Sequence, residues 1–91
     1  MKKFDALQGV VMSTPIIEME SPFYLSFHVR VSGDVVPATF IGDFARALQN
    51  NIRIGDRVIM REGLIDNGKL VFSFMHMENE AAIGRNLNIT G

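Results

Sequence analysis

The segment "GDFARALQNN", residues 42–51, is the only stretch of this sequence with a helical pattern. Asp43 can cap its start, and Phe44, Ala47 and Leu48 share one face, because residues three and four apart are neighbours on a helix. Such a helix has about three turns at most. Its amphipathic pattern predicts a plug for one end of a sheet or barrel, and its place in the chain decides between the possible folds.

Strand patterns lie on both sides of this helix. The clearest is "FYLSFHVRV", residues 23–31, in which every second residue is apolar, as in a strand with one buried face. The first predicted strand is longer, and Gly9 and Pro15 within it predict a bulge or a sharp bend. Asn67-Gly68 supplies the positive φ angles of a two-residue hairpin turn. The predicted strands are residues 5–19, 23–31 and 35–41 before the helix, and 54–65 and 70–77 after it.

Three strands, one helix and two further strands make the order of an all-β fold, the five-stranded OB-fold Greek-key barrel with one short helix between strands 3 and 4. The bent first strand fits this barrel, because one strand must belong to both of its sheets. The alternative is an SH3-like barrel, which has no helix at this position. In the fifth strand the apolar phase predicts that Ser73, Met75 and Met77 face outward. The residues predicted to point inward are Leu25, Phe27, Val29, Phe40, Val58, Met60, Phe72 and Phe74.

The chain shows no repeat, linker or low-complexity stretch, so residues 1–78 are predicted to form one OB-fold domain, followed by a C-terminal tail, residues 79–91. It has 91 residues, no cysteine and a net charge of −1. The lack of cysteine, of a leader peptide and of an apolar run of about 20 residues predicts a cytoplasmic protein outside the membrane. A domain of this size has a small core, so we expect a homodimer that buries part of the first strand, around Val10 to Ile17, or the edge that this strand exposes.

Enzymatic sites have little support in the sequence. The two histidines, His28 and His76, lie on different predicted strands, and neither has beside it the three or four ligands that a zinc site needs. The sequence contains neither a phosphate-binding glycine loop nor a nucleophile motif. We therefore expect a protein that is not an enzyme and that holds no cofactor and no metal.

The polar face of the second strand favours a binding function instead. Single-stranded nucleic acid is held by aromatic rings that stack on bases and by cations that contact phosphates. Tyr24 and His28 provide two rings and Arg30 a cation on one strand face. Two arginines on the outward face of the fourth strand can follow a phosphate backbone, and a lysine lies at the rim. The candidate nucleic-acid-binding residues are Tyr24, Ser26, His28, Arg30, Arg57, Arg61 and Lys69.

Simpler explanations exist for the same residues. Any half-buried strand alternates polar and apolar positions, so the polar face is also typical of a solvated surface. Arg57 and Arg61 can pair with their acidic neighbours Asp56 and Glu62. Nine basic and ten acidic residues leave no basic excess, which counts against a nucleic-acid binder unless the charges are segregated by face. The alternative function is therefore an OB-fold module that binds a protein partner, accessory to replication, conjugation or another assembly.

Residues 40–65, "FIGDFARALQNNIRIGDRVIMREGLI", resemble the stretch of bacterial single-stranded DNA-binding proteins that runs from the third strand through the helix into the fourth. Primosomal OB-fold proteins share much of this pattern. The resemblance implies an OB-fold, binding of single-stranded DNA or else RNA, and a role in DNA replication. The positions that match are Gly42, Phe44, Ala45, Leu48, Gly55, Asp56, Val58, Gly63 and Leu64.

Two departures from that family bear on its binding surface. Where the family has stacking aromatics on the third strand, this chain has Val35 and Ile41. The family's long loop between strands four and five, which wraps the DNA, is here the short turn "DNGK", residues 66–69. We therefore expect that few nucleotides are covered and that the affinity is modest.

Overall fold

The computed structural model describes residues 1–78, and the predicted tail, residues 79–91, lies outside this part of the chain. The described residues form seven strands and one short helix. No helix among them is long and apolar enough to cross a membrane. The elements in chain order are β1 (Lys2–Val11), β2 (Ile16–Glu20), β3 (Phe23–Val31), β4 (Asp34–Ile41), α1 (Asp43–Leu48), β5 (Arg57–Asp66), β6 (Lys69–Phe72) and β7 (Phe74–Met77).

Five of the strands close into a barrel in the order β1–β3–β4–β6–β5, with β5 returning to β1. Neighbours in the barrel are antiparallel except β4 and β6, which are parallel. A parallel pair needs a long connection, and α1 together with β5 supplies it. The two additional strands are β2, which pairs with β3, and β7, which pairs with β5. The prediction of a mostly β barrel with one short helix after the third predicted strand is confirmed.

The first predicted strand is divided into β1 and β2. β1 pairs with β5 over most of its length and meets β3 only at Val10 and Val11, whereas β2 pairs with the opposite half of β3. The break lies at residues 12–15, and Pro15, which has no N–H to donate to a ladder, stands there. Gly9 continues the ladder opposite Val58. The predicted bend therefore occurs at the proline and not at the glycine.

α1 has six residues and begins after Gly42, whose φ of 105° is accessible to glycine without steric cost. No side chain caps the helix, so the predicted cap by Asp43 is wrong. Asp43 lies instead in the first turn, where a negative charge favours the helix N-terminus. Ala45 and Leu48 are buried and Ala47 is exposed, so the inward face is rotated from the predicted one.

Seven of the eight residues predicted to point inward are buried, and aromatic contacts join three of them. Phe72 stacks on Phe40 with ring centres 4.9 Å apart and meets Phe27 edge to face at 6.1 Å. Each buried side chain of this size contributes about 1.5–3 kcal/mol to stability. The eighth residue, Phe74, is 40% exposed, so its assignment to the core is wrong.

Strand pairing explains the error at Phe74. Ser73 interrupts the strand between β6 and β7, and it is followed by Phe74 on the same outer side. β7 pairs with β5 so that Met75 is opposite the buried Met60. Directly opposite residues share one face of a sheet, so Met75 and Met77 are buried. The prediction that these two methionines face outward is therefore wrong.

Candidate nucleic-acid interface

A groove crosses the outer faces of β3 and β4, between β2 on one side and the start of β6 on the other. Cross-strand pairs build its floor, since Ser26 is opposite Ile16 and Thr39, and Tyr24 is opposite Ile41. Two adjoining cavities of about 550 and 280 Å³ lie along it. The residues that line the groove are Ser13, Thr14, Ile16, Glu18, Tyr24, Ser26, Phe27, His28, Pro37, Ala38, Thr39, Ile41, Lys69 and Val71.

His28 is held at the point where the chain bends between β1 and β2. Its backbone N–H donates to Ser13 Oγ at 2.8 Å, and the same oxygen lies 3.3 Å from Nδ1 of the ring. The backbone N–H of Met12 donates to the carbonyl oxygen of His28 at 2.8 Å. These contacts orient an exposed imidazole at the edge of the groove before any ligand binds.

The middle of the groove carries hydroxyl groups on an apolar floor. Ser26 Oγ and Thr39 Oγ1 lie 3.4 Å apart, and Thr39 is buried. Ser26 and Tyr24 are half-buried, so part of each side chain is accessible from the groove. A few hydrogen-bonding groups on an apolar surface are typical of sites that hold a ring system or another small polar ligand.

The charged residues of the groove are Glu18 on the β2 side and Lys69 on the β6 side, and both are exposed. Lys69 follows the two-residue turn at Asn67 and Gly68, whose φ angles are 52° and 78°, so the predicted hairpin turn is confirmed. The negative charge of Glu18 and the positive charge of Lys69 cancel. The groove therefore attracts a polyanion only if cations lie beside it.

A second surface, which we name the arginine face, lies on the outer side of the barrel and consists of Arg30 on β3 and of Arg57 and Arg61 on β5, with β1 between these two strands. Val10 of β1 is opposite Arg30 on one side and Arg57 on the other. The two arginines are thus two strand spacings apart, about 10 Å. Arg61 lies four residues further along the same face of β5, about 13 Å from Arg57. All three arginines are exposed.

Two acidic residues lie near the arginine face, Glu78 on its surface and Asp56 in the interior. Glu78 lines a cavity of about 330 Å³ together with Arg30 and Arg57. Asp56, which the sequence offered as a partner for Arg57, is buried, and its Oδ2 accepts the backbone N–H of Arg53 at 2.9 Å. At least one oxygen of this carboxylate therefore serves the turn that precedes β5.

The structure divides the seven predicted residues between the two surfaces: Tyr24, Ser26, His28 and Lys69 lie in the groove, and Arg30, Arg57 and Arg61 on the arginine face. Arg30 connects the surfaces, because it follows His28 on the same outer face of β3, about 7 Å along the strand. The groove and the arginine face are therefore continuous along β3.

Phe74 is the exposed aromatic residue that sequence reasoning missed. Its ring stacks on that of Phe44, with centres 5.0 Å apart and planes inclined by 13°. On the neighbouring strand it is directly opposite Arg61. Two phenylalanines separated by one serine suggest two core positions on one strand face. The strand is interrupted at Ser73, where its pairing with β4 has ended, and the local sequence does not show this point.

The two histidines lie on different strands, His28 on β3 and His76 on β7. Within residues 1–78, no group of three histidine, cysteine or acidic side chains is close enough together to hold a metal ion.

Comparison with solved structures shows a similar fold in the crystal structure of the SSB domain of a protein from Synechococcus sp.. The TM-score is 0.65 at 20% sequence identity, and the match covers 84% of this chain and 94% of that one. No protein-family model matches the sequence, and comparison with curated proteins finds none that is significantly similar. The structural match supports the predicted OB-fold, while the role of each side chain has to be argued from the chain itself.

Proposed function

We propose that this protein binds single-stranded nucleic acid, in the first place single-stranded DNA, on its OB-fold barrel and catalyses no reaction. The observation that carries the proposal is the grouping of three exposed arginines on one surface, where Glu78 lies beside two of them. A chain with a net charge of −1 has three exposed arginines on one surface, continuous with a groove that carries rings and hydroxyl groups. The similarity to an SSB domain supports the fold on which the proposal depends.

In this proposal the groove takes bases and the arginine face takes phosphates. Bases stack on the rings of Tyr24 and His28, and the hydroxyl of Ser26 adds a hydrogen bond. Each phosphate that an arginine neutralises releases counterions, so binding is strongest at low salt. The phosphate contacts are Arg30, Arg57 and Arg61, with Lys69 at the rim of the groove.

The expected complex is small. Residues 66–69 form a two-residue turn that cannot wrap a strand, so few nucleotides are covered and the affinity is modest. Such a protein acts in the cytoplasm, in DNA replication or another process that exposes single strands.

Fluorescence anisotropy with a labelled oligo-dT strand at two salt concentrations tests the proposal. We expect saturable binding that weakens as salt rises, because phosphate contacts dominate. The same oligonucleotide annealed to its complement is the control and should bind less, since its bases are not free to stack. Absence of binding to any single strand, RNA included, at low ionic strength would refute the proposal.

A second candidate function, a module that binds a protein partner, is favoured by β2. Ile16, Ile17 and Met19 on this strand are exposed, and among residues 1–78 β2 pairs with β3 alone, so its other edge is open. Exposed edges of this kind invite pairing with another strand. We propose a second copy of this chain as the first occupant of the edge, which gives a homodimer and leaves the arginine face accessible.

A further inference from the structure

The half-exposed ring of Phe74 lies at the far end of the arginine face. The packing of the barrel does not explain why this ring is exposed to solvent. The ring belongs to the outer side of β7, and Phe74 as a residue is 40% exposed. Phe44 stacks against it, and Phe44 in turn meets the buried Phe40 edge to face at 6.0 Å. The ring is therefore fixed from behind by a chain of aromatic contacts that reaches the core.

Cross-strand register connects this ring to the arginine face. Arg61 stands between Ala6 on β1 and Phe74 on β7, so all three side chains point to the same outer surface. Ala6 is small and exposed, and Arg61 beside it is exposed as well. In proteins that bind single strands, cations contact the phosphates and aromatic rings stack on the bases. Arg61 and Phe74 place one group of each kind side by side.

We infer that Phe74 is a further nucleic-acid-binding residue, a platform on which one base stacks while its phosphate contacts Arg61. The inference rests on the proposed function and extends the bound strand beyond the groove, over Arg30, Arg57 and Arg61 to Phe74. The contact does not depend on the base sequence, because every base offers a face for stacking.

Two ligands distinguish stacking from charge at this position. One is labelled oligo-dT, and the other is a strand of the same length whose sugars carry no bases. Phe74→Ala should bind oligo-dT roughly 5-fold to 150-fold more weakly than the wild-type protein. Its binding to the strand without bases should be unchanged, and so should the salt dependence, since no charge is removed. Phe74→Tyr should bind both ligands as the wild-type protein does.

A matched control is Ile54→Ala, which removes an apolar side chain that is 62% exposed, outside the groove and the arginine face. It should bind both ligands normally. Since Phe74→Ala also removes a contact to Phe44, a second measurement uses the wild-type protein alone. Ultraviolet cross-linking to a strand that contains 5-bromodeoxyuridine, followed by peptide mapping, should identify residue 74.

The outcomes separate this inference from the proposed function. Normal oligo-dT binding by Phe74→Ala, with weakened binding by Arg57→Ala, would overturn the inference and leave the function standing. Equal weakening for the two ligands, or loss of self-association with normal binding, would also overturn it, the latter by assigning the ring to a second copy. If the wild-type protein binds no single strand at all, the proposed function fails first.

Discussion

Tyr24 is half-buried in the floor of the groove, opposite Ile41, and it is not part of the core. Replacing it with alanine deletes a ring on which a base stacks, so we expect binding to oligo-dT to weaken by about 1–3 kcal/mol. The melting temperature should change little. Anisotropy and a thermal melt on the same sample measure both effects, and Tyr24→Phe, which keeps the ring, should bind as the wild-type protein does. Normal binding by Tyr24→Ala would remove this residue from the interface.

Arg57 tests the electrostatic part of the proposal. Arg57→Ala should lower the slope of log affinity against log salt by about one unit or less, because one phosphate contact and its released counterions are lost. Titrations at four salt concentrations give the slope. Arg53→Ala is the matched control, since Arg53 is also exposed but precedes β5 and lies outside the arginine face, and its slope should equal that of the wild-type protein. Equal slopes for all three proteins would contradict a phosphate contact at Arg57.

Gly63 tests the packing of the barrel. A side chain added here would meet the ring of Phe4 and would come within 2.5 Å of the carbonyl oxygen of Val71, which is backbone and cannot turn away. Gly63→Ala should therefore lower the free energy of unfolding by about 1–3 kcal/mol in urea denaturation. Gln8→Ala, on the exposed side of β1, should stay within about 0.5 kcal/mol. Equal stability of the two variants would mean that β5 and β6 are further apart at this point.

Among the elements, those with a regular alternation of apolar residues were the predictable ones. β3 has the predicted bounds, Phe23–Val31, and all of its predicted inward residues are buried. The hairpin turn at Asn67-Gly68 was also predictable, because its positive φ angles demand specific residues. Breaks in a strand were harder, because they depend on the partner strand. The inward and outward positions after Ser73 were predicted wrongly, because the strand stops pairing with β4 after Phe72. This end of a long-range pairing has no signal in the local sequence.

The candidate site was predictable in part for the same reason. Alternation along β3 correctly placed Tyr24, Ser26 and His28 on an outer face with Arg30. The sequence did not show that Arg57 and Arg61 lie on a separate surface from the groove. Their position follows from the register in which β1 pairs with β3 and with β5, and one sequence does not determine that register. A bend near Pro15 could be predicted from the sequence. The sequence did not show that this bend, at residues 12–15, brings Ser13 into contact with His28.

The open edge of β2 predicts self-association. Sedimentation at about 50 μM should show a dimer, a concentration at which a dissociation constant of about 1 μM leaves most chains paired. Ile17→Lys places a charge on the exposed strand and should shift the protein to monomer. Ile54→Lys, also at an exposed apolar residue but away from β2, should leave the dimer intact. A wild-type protein that is monomeric at this concentration would contradict pairing through β2.

For the molecule as a whole, the distribution of charge matters more than its sum. A net charge of −1 argues against a nucleic-acid binder when it is spread evenly, but here three arginines share one surface beside a groove with balanced charge. Long-range attraction is therefore weak, while local contacts can still hold phosphates. We expect modest affinity that salt abolishes, and a short strand as the preferred ligand.

The central claim is that one continuous surface, from Tyr24 through Arg30 and Arg57 to Arg61, receives a single strand. Nuclear magnetic resonance of the ¹⁵N-labelled protein during titration with a short oligo-dT at low salt tests it most directly, because every backbone amide reports separately. We predict that the amides of residues 24–30 and 57–61 shift together and saturate at one strand per chain. Shifts confined to β2, or no shifts anywhere at saturating strand concentration, would contradict the claim.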